Sequence, residues 1–139
     1  MKVVYNLSKE SNVSLYSTHD FRIKKVLFEN EYLIFEYEDD ITYHDSFDNT
    51  YDKYKSLVVR YHLIDDFDIY FFKKFLISKK VYYKRTNKNK LLSFKENELE
   101  FLYSYVGYQK IIVKLWNTKF HEIILDMQVD YIEYDWIEK

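Results

Sequence analysis

The stretch Arg22-Ile23-Lys24-Lys25-Val26-Leu27-Phe28-Glu29-Asn30-Glu31-Tyr32-Leu33-Ile34-Phe35-Glu36-Tyr37 reads as a β-hairpin. Positions 22–28 form its first strand, Asn30 its turn and positions 32–37 its second strand. In the second strand Leu33, Phe35 and Tyr37 share one face, and Tyr32, Ile34, Glu36 and Glu38 share the other. That period of two, carried by β-branched and aromatic residues, is the pattern of a half-buried strand.

The pattern recurs along the chain. Strands are expected at 57–64, 68–72, 79–85, 109–116, 121–127 and 129–136, with a shorter one at 41–43. Asp65-Asp66 marks a turn after which 68–72 returns on 57–64, Gly107 marks another turn, and Thr86-Asn87-Lys88-Asn89 is a polar link. Two segments read either way. Phe72, Phe75 and Leu76 have helical spacing, so 71–77 is alternatively a short helix. Ser93 and Glu96 have the spacing of a helix capping box, but Leu99, Phe101, Tyr103 and Tyr105 alternate, which favours a strand. The segment 28–37 also echoes 94–103, with Phe, Leu, Phe and Tyr at the same four offsets, as two similar hairpins would produce.

About eight to ten short strands with at most one or two short helices make this a mainly β chain. The expected architecture is one curved antiparallel sheet, closed as a barrel or folded as a sandwich. No linker divides the chain, so residues 1–139 are read as one domain. At that length folding hides roughly two-thirds of the unfolded surface, and no disulfide or metal staple is needed.

Composition excludes several chemistries. With no Cys there is no thiolate nucleophile or zinc knuckle. One Gly excludes a P-loop and a dinucleotide fingerprint, and no Ser sits in a nucleophile elbow. His19-Asp20 and His44-Asp45 are His-Asp pairs, and His121-Glu122 is similar. No second pair at metal-site spacing accompanies them, so each reads as a surface His beside a turn-forming acid, and no metal or cofactor is expected. The N-terminus carries no signal-peptide pattern and the longest apolar runs are short, so a cytoplasmic protein is expected.

The formal charge of −2 hides segregation. Positions 29–52 hold nine acidic residues and no Lys or Arg, 79–90 six basic and no acidic, and 126–138 five acidic and no basic. In the first run Asp39, Asp40, Asp45, Asp48 and Asp52 interleave with Tyr43, Phe47, Tyr51 and Tyr54. Acids that steer and aromatics that anchor suit a basic protein partner, and the alternative is a solvated loop. The basic run Lys79, Lys80, Lys84, Arg85, Lys88 and Lys90 encloses Tyr82 and Tyr83. Cations beside stackable rings suit single-stranded nucleic acid, and the alternative is a Lys-rich edge strand that blocks aggregation. Sixteen Tyr are too many to bury with every hydroxyl satisfied, so several should line a groove or an exposed patch.

The opening 15–26, with its His19-Asp20-x-x-Ile23 pattern, continues into Phe28-Glu29-Asn30 and Leu33-Ile34-Phe35. It resembles the start of several small bacterial proteins, some labelled as immunity proteins of toxin systems. The resemblance implies a strand-rich fold and a toxin-neutralising role, and carries over no functional residue. The expected function is therefore a non-enzymatic binding protein, toxin-neutralising in the finer reading. A barrel holding a small apolar or aromatic ligand and a nucleic-acid binder are the alternatives.

Overall fold

The computed structural model describes residues 1–9, 13–39, 41, 52–74, 81–117 and 121–139. In these, nine strands and one short helix follow in the order β1 (Lys2–Asn6), β2 (Arg22–Glu29), β3 (Tyr32–Tyr37), β4 (Tyr54–Leu63), β5 (Asp68–Lys74), β6 (Val81–Thr86), α1 (Lys88–Leu92), β7 (Leu99–Gly107), β8 (Lys110–Asn117) and β9 (His121–Glu138). The fold is mainly β, as expected, and it is a barrel rather than a sandwich. Six antiparallel strands close in the order β4-β3-β2-β7-β8-β9 and back to β4.

Closure depends on β9, which has 18 residues. Its first half pairs β8 on one edge and β5 on the other. Its second half pairs β1 and β4. The sequence reading divided this segment into two strands at Gln128, and the structure joins them. Burial explains both results. Ile123, Leu125, Met127 and Val129 point inward, then Asp130 and Tyr131 both stay out, and Ile132, Tyr134 and Trp136 point inward again. The slip in phase is a β-bulge, not a turn. His62 opposes Tyr131 and Leu63 opposes Val129, so Asp130 is the extra residue. Here both edges change partner. Ile64 N–H donates to the Gln128 carbonyl where β4 gives way to β5 (3.1 Å). On the other edge, Leu7 N–H donates to the Asp130 carbonyl (2.7 Å) and Val129 N–H to the Gln109 carbonyl (3.1 Å).

The hairpin β2–β3 forms as read, with Asn30 and Glu31 in its turn at positive φ. Leu33, Phe35 and Tyr37 face the barrel interior, where Phe35 meets Tyr61 edge-on at 5.4 Å and Tyr37 meets Phe101 at 6.4 Å. Inward residues of β4, β8 and β9 complete a core whose members are largely 0–4% exposed. Each such Leu, Ile or Phe contributes about 1.5–3 kcal/mol by leaving water.

Several local readings change. β5 does not return on β4; it continues past the bend at 64–67 along the same edge of β9 and pairs with β6 on its far side. Of the alternative helix at 71–77, residues 71–74 are strand and 75–77 lie outside the described residues. The polar link after β6 holds α1, capped by the Asn87 side chain, which accepts from Lys90 N–H at 3.2 Å. Ser93 ends that helix and does not start one. β1, a short alternating segment, went unread. Ile41 is buried but lies outside any strand, and 42–43 fall outside the described residues.

Deleting Asp130 should remove the bulge and with it the change of partners, and cost about 4 kcal/mol or more or abolish folding. Asp130→Ala keeps the extra residue and should cost only about 1–3 kcal/mol. Urea unfolding followed by Trp fluorescence separates the two outcomes.

Candidate functional site: the β7 edge and the outer aromatic face

β7 is paired along its length by β8 but meets β2 only at Arg22–Glu100 and Ile23–Leu99. Beyond Phe101, the β7 edge facing β2 has no strand partner among the described residues. A cleft of about 560 Å³ runs along this edge, with residues 13–18 as its other wall.

That wall is fixed from inside the barrel. The Tyr134 hydroxyl donates to the Tyr16 carbonyl (3.4 Å), and the Tyr37 and Thr18 hydroxyls lie 3.4 Å apart. Ser56 hydroxyl donates to the Tyr37 carbonyl (3.0 Å), and the Tyr16 ring stands edge-on against Trp136 at 4.8 Å. Burial pushes the phenols of Tyr37, Tyr61 and Tyr134 up from their ordinary value, since a phenolate there would be stripped of water.

A second bulge shapes the outer face. Phe101 opposes Leu115 and Tyr103 opposes Lys114, so Leu102 is the extra residue. It turns Tyr103 and Tyr105 outward beside Lys114 and Ile112. The two rings pack edge-on at 5.6 Å and are 42% and 58% exposed. Lys114 Nζ lies 5.5 Å from the Tyr103 ring and 3.0 Å from Glu122, whose carboxylate raises the ammonium pKa. Trp116 is exposed two residues along β8, and Tyr108 is exposed in the turn. This bulge also breaks the internal echo. Tyr37 is buried while its counterpart Tyr103 is exposed, although Leu33 and Leu99, and Phe35 and Phe101, match in burial.

Where β2 leaves β7, Asp20 sits at positive φ and its N–H donates to the Phe101 carbonyl (2.8 Å). His19 Nδ1 lies 3.0 Å from the Asp20 carboxylate, so this His-Asp pair forms a local contact on the surface. Burial, and then the hydrogen-bonded Asp20 carboxyl and its charge, raise the Glu100 pKa, while Arg22 and His19 oppose the shift. Asp20 and Glu100 thus lie just beyond Thr18 and Phe101, which line one end of the cleft, with Arg22 and His19 beside them.

The sequence-predicted surfaces are only partly in view. Of the acidic aromatic set, Asp40, Tyr43, Asp45, Phe47, Asp48 and Tyr51 lie outside the described residues, as does His44. Asp39 pairs with Lys24 across the hairpin (3.2 Å), Asp52 is exposed, and Tyr54 is buried in the core. Lys79 and Lys80 of the basic set also lie outside. Tyr82 pairs with Lys73 in the ladder, and Tyr83, Lys84 and Arg85 are exposed on β6, with Arg85 2.6 Å from Asp68. Lys88 is 3.5 Å from Asp66 and reaches over the stacked Phe28 and Phe67 rings. Charge segregated in sequence is thus interleaved by antiparallel pairing. Asp126 meets Lys110 at 3.3 Å, Glu133 meets Lys2 at 3.8 Å and Asp135 meets Arg60 at 3.4 Å.

One further cluster escaped the sequence reading. At the β9 bulge His62 Nδ1 lies 2.6 Å from Asp130, its ring stacks on Tyr131 at 4.6 Å, and Tyr131 and Tyr32 share a hydroxyl hydrogen bond. That bond to Tyr32, with burial next in size, pushes the Tyr131 phenol up to about 12. Among the described residues no group of three or more His, Asp or Glu is placed to hold a metal ion, and no helix is long and apolar enough to cross a membrane. No family model, curated protein or solved structure matches the chain.

The raised phenols set an alkaline limit. Their folded pKa values exceed the unfolded value of about 10, so their stabilising contribution is complete below about pH 10 and is lost as pH climbs towards the folded values. Denaturation midpoints should therefore fall steadily above about pH 10, with tyrosinate absorbance lagging behind that of the unfolded chain. Tyr32→Phe should bring Tyr131 from about 12 back towards about 10 in the same spectrophotometric titration.

Proposed function

We propose that this protein is a non-enzymatic binding protein that docks a partner protein on the outer face of β7 and β8. The observation that carries the reading is the Tyr103–Tyr105 pair, held outward by a bulge on a rigid sheet, with exposed Trp116 nearby. Tyr and Trp lose little entropy on binding and dominate interface hot spots. The carboxyl groups of Asp20, whose N–H meets the Phe101 carbonyl, and of neighbouring Glu100 favour a basic partner. The finer reading, a toxin-neutralising immunity protein, draws on the resemblance of the opening hairpin to such proteins and on this surface.

The other readings have less behind them. A small-ligand barrel would need interior space, whereas the inward side chains are themselves packed and almost wholly buried. For single-stranded nucleic acid, Arg85 and Lys88 are each already engaged by a carboxylate, and the acidic remainder of the surface repels a polyanion.

The test is binding to the product of the adjacent gene and to proteins recovered from the native cell. Tyr103→Ser with Tyr105→Ser should weaken a recovered complex about 30- to 1000-fold in calorimetry. Both side chains are exposed, so the double variant should lose only their mutual packing and strand propensity, about 1–2 kcal/mol, and stay folded. Absence of a protein partner, together with a neighbouring gene that encodes no toxin, would sink the reading.

A further inference from the structure

The open edge of β7 offers more than side chains. The turn at Tyr108–Gln109 places Gly107 opposite Lys110, a hydrogen-bonded pair in a two-residue hairpin. Alternation then directs the N–H and C=O of Tyr105 and Tyr103 to β8, and those of Ser104 and Val106 to the open edge. The other end of the strand agrees. Phe101, one residue before the bulge, directs its N–H to the Phe21 carbonyl (2.8 Å) and its carbonyl to Asp20 N–H, both on the β2 side. Residues 102–106 thus present an edge of about 17 Å, at about 3.4 Å per residue. No backbone partner satisfies Ser104 or Val106 on that side among the described residues.

Sheet edges this long are normally blunted by Lys, Pro or a covering segment. Here residues 102–106 contain none of the charged or proline blockers. Among the described residues the nearest segment, 13–18, stands off across the cleft and is held there by Tyr37, Tyr134 and Trp136. The gap is therefore pre-formed, and an arriving chain bears no cost of ordering it. The cleft's largely polar lining, to which Ser14, Ser17 and Ser104 contribute, suits a main chain better than an apolar small molecule. Asp20, whose N–H meets the Phe101 carbonyl (2.8 Å), and Glu100, opposite Arg22, lie at the end where β2 diverges, and a Lys or Arg placed there would meet two carboxyl groups.

We infer that the β7 edge binds an extended peptide segment of a partner as an added antiparallel strand, with a Lys or Arg near the segment's C-terminal end seated at Asp20 and Glu100. Antiparallel is the direction that every paired strand in this sheet uses, and it sets the basic residue at the C-terminal end. Specificity then comes from alternate side chains lying beside Tyr103 and Tyr105 on the outer face. The inference rests on the docking reading above and names the partner's conformation and charge.

The test is an NMR titration of the full chain with acetylated, amidated Thr-Val-Thr-Val-Thr-Arg. Saturable shifts at the Ser104 and Val106 amides, with slowed hydrogen exchange there, are expected below about 1 mM. Replacing the terminal Arg by Glu should weaken binding about tenfold or more, as should Asp20→Asn with Glu100→Gln. Methylating alternate peptide amides should abolish it. Ser104→Pro removes an edge-facing N–H while leaving the β8 ladder intact, and should lose peptide binding with an otherwise unchanged spectrum. A Ser104→Ala control should bind as wild type, which separates edge blocking from loss of the hydroxyl. No saturation at about 1 mM, shifts elsewhere, equal binding of the Glu peptide, or full binding by Ser104→Pro overturns the inference. A whole partner that tolerates Ser104→Pro but not the Tyr103 and Tyr105 substitutions would leave the docking face standing and remove the added strand.

Discussion

A single strand with four hydrogen-bonded neighbours holds this barrel shut. β9 is paired on both edges along most of its length, and both edges exchange partners at the Asp130 bulge. A regular strand cannot do this and keep its apolar side chains inside, because period two ties each residue to one face. The extra residue resets the phase, so the same strand lines the core before and after the switch. The four side chains Ile123 to Val129 and the three from Ile132 to Trp136 then bury against different partners. The bulge also places Asp130 against His62 and leaves Tyr131 stacked on that ring, a polar knot at the seam.

The same device, one residue too many, shapes the surface. The Leu102 bulge ends the inward run of β7 and brings Tyr103 and Tyr105 to the outside. β2 diverges at the same level, so β7 acquires an aromatic outer face and, among the described residues, an edge without a strand partner. The buried phenols connect these features to the core. Tyr37 and Tyr134 fill the interior with their rings and reach Thr18 and Tyr16 in the cleft wall with their hydroxyls. The Tyr surplus thus divides into rings that build the barrel, with their hydroxyls holding a surface segment, and rings offered to solvent.

Much of the fold was legible. The hairpin of Leu33, Phe35 and Tyr37, the strand at Leu99 and Phe101, and the alternation through Ile111, Val113 and Leu115 all read directly, because burial on one face leaves a period of two. The errors fell where a bulge or a partner change interrupts that period. Residues 121–138 read as two strands because a phase slip looks like a break. β5 read as returning on β4 because Asp65-Asp66 looks like a hairpin turn, whereas the chain bends there and runs on along β9. The phase slip itself was present in the sequence, as Val129, then Asp130-Tyr131, then Ile132, and would have pointed to the bulge and to His62 opposite it.

The site was less legible. The alternation of Tyr103 and Tyr105 with Leu99 and Phe101 gave no sign that they face opposite ways, since a single extra apolar residue, Leu102, set between two rings leaves no mark. Charge runs in the sequence also misled, because antiparallel pairing sets Glu133 beside Lys2 and Asp135 beside Arg60. By itself the sequence determined the class of fold, through a local period that each strand carries regardless of its neighbours. Only the tertiary structure decided which strands pair, where the sheet closes and which edge stays open. Those depend on contacts between residues far apart in the chain, such as Tyr61 with Ile132 and Leu7 with Asp130, and no local pattern encodes them.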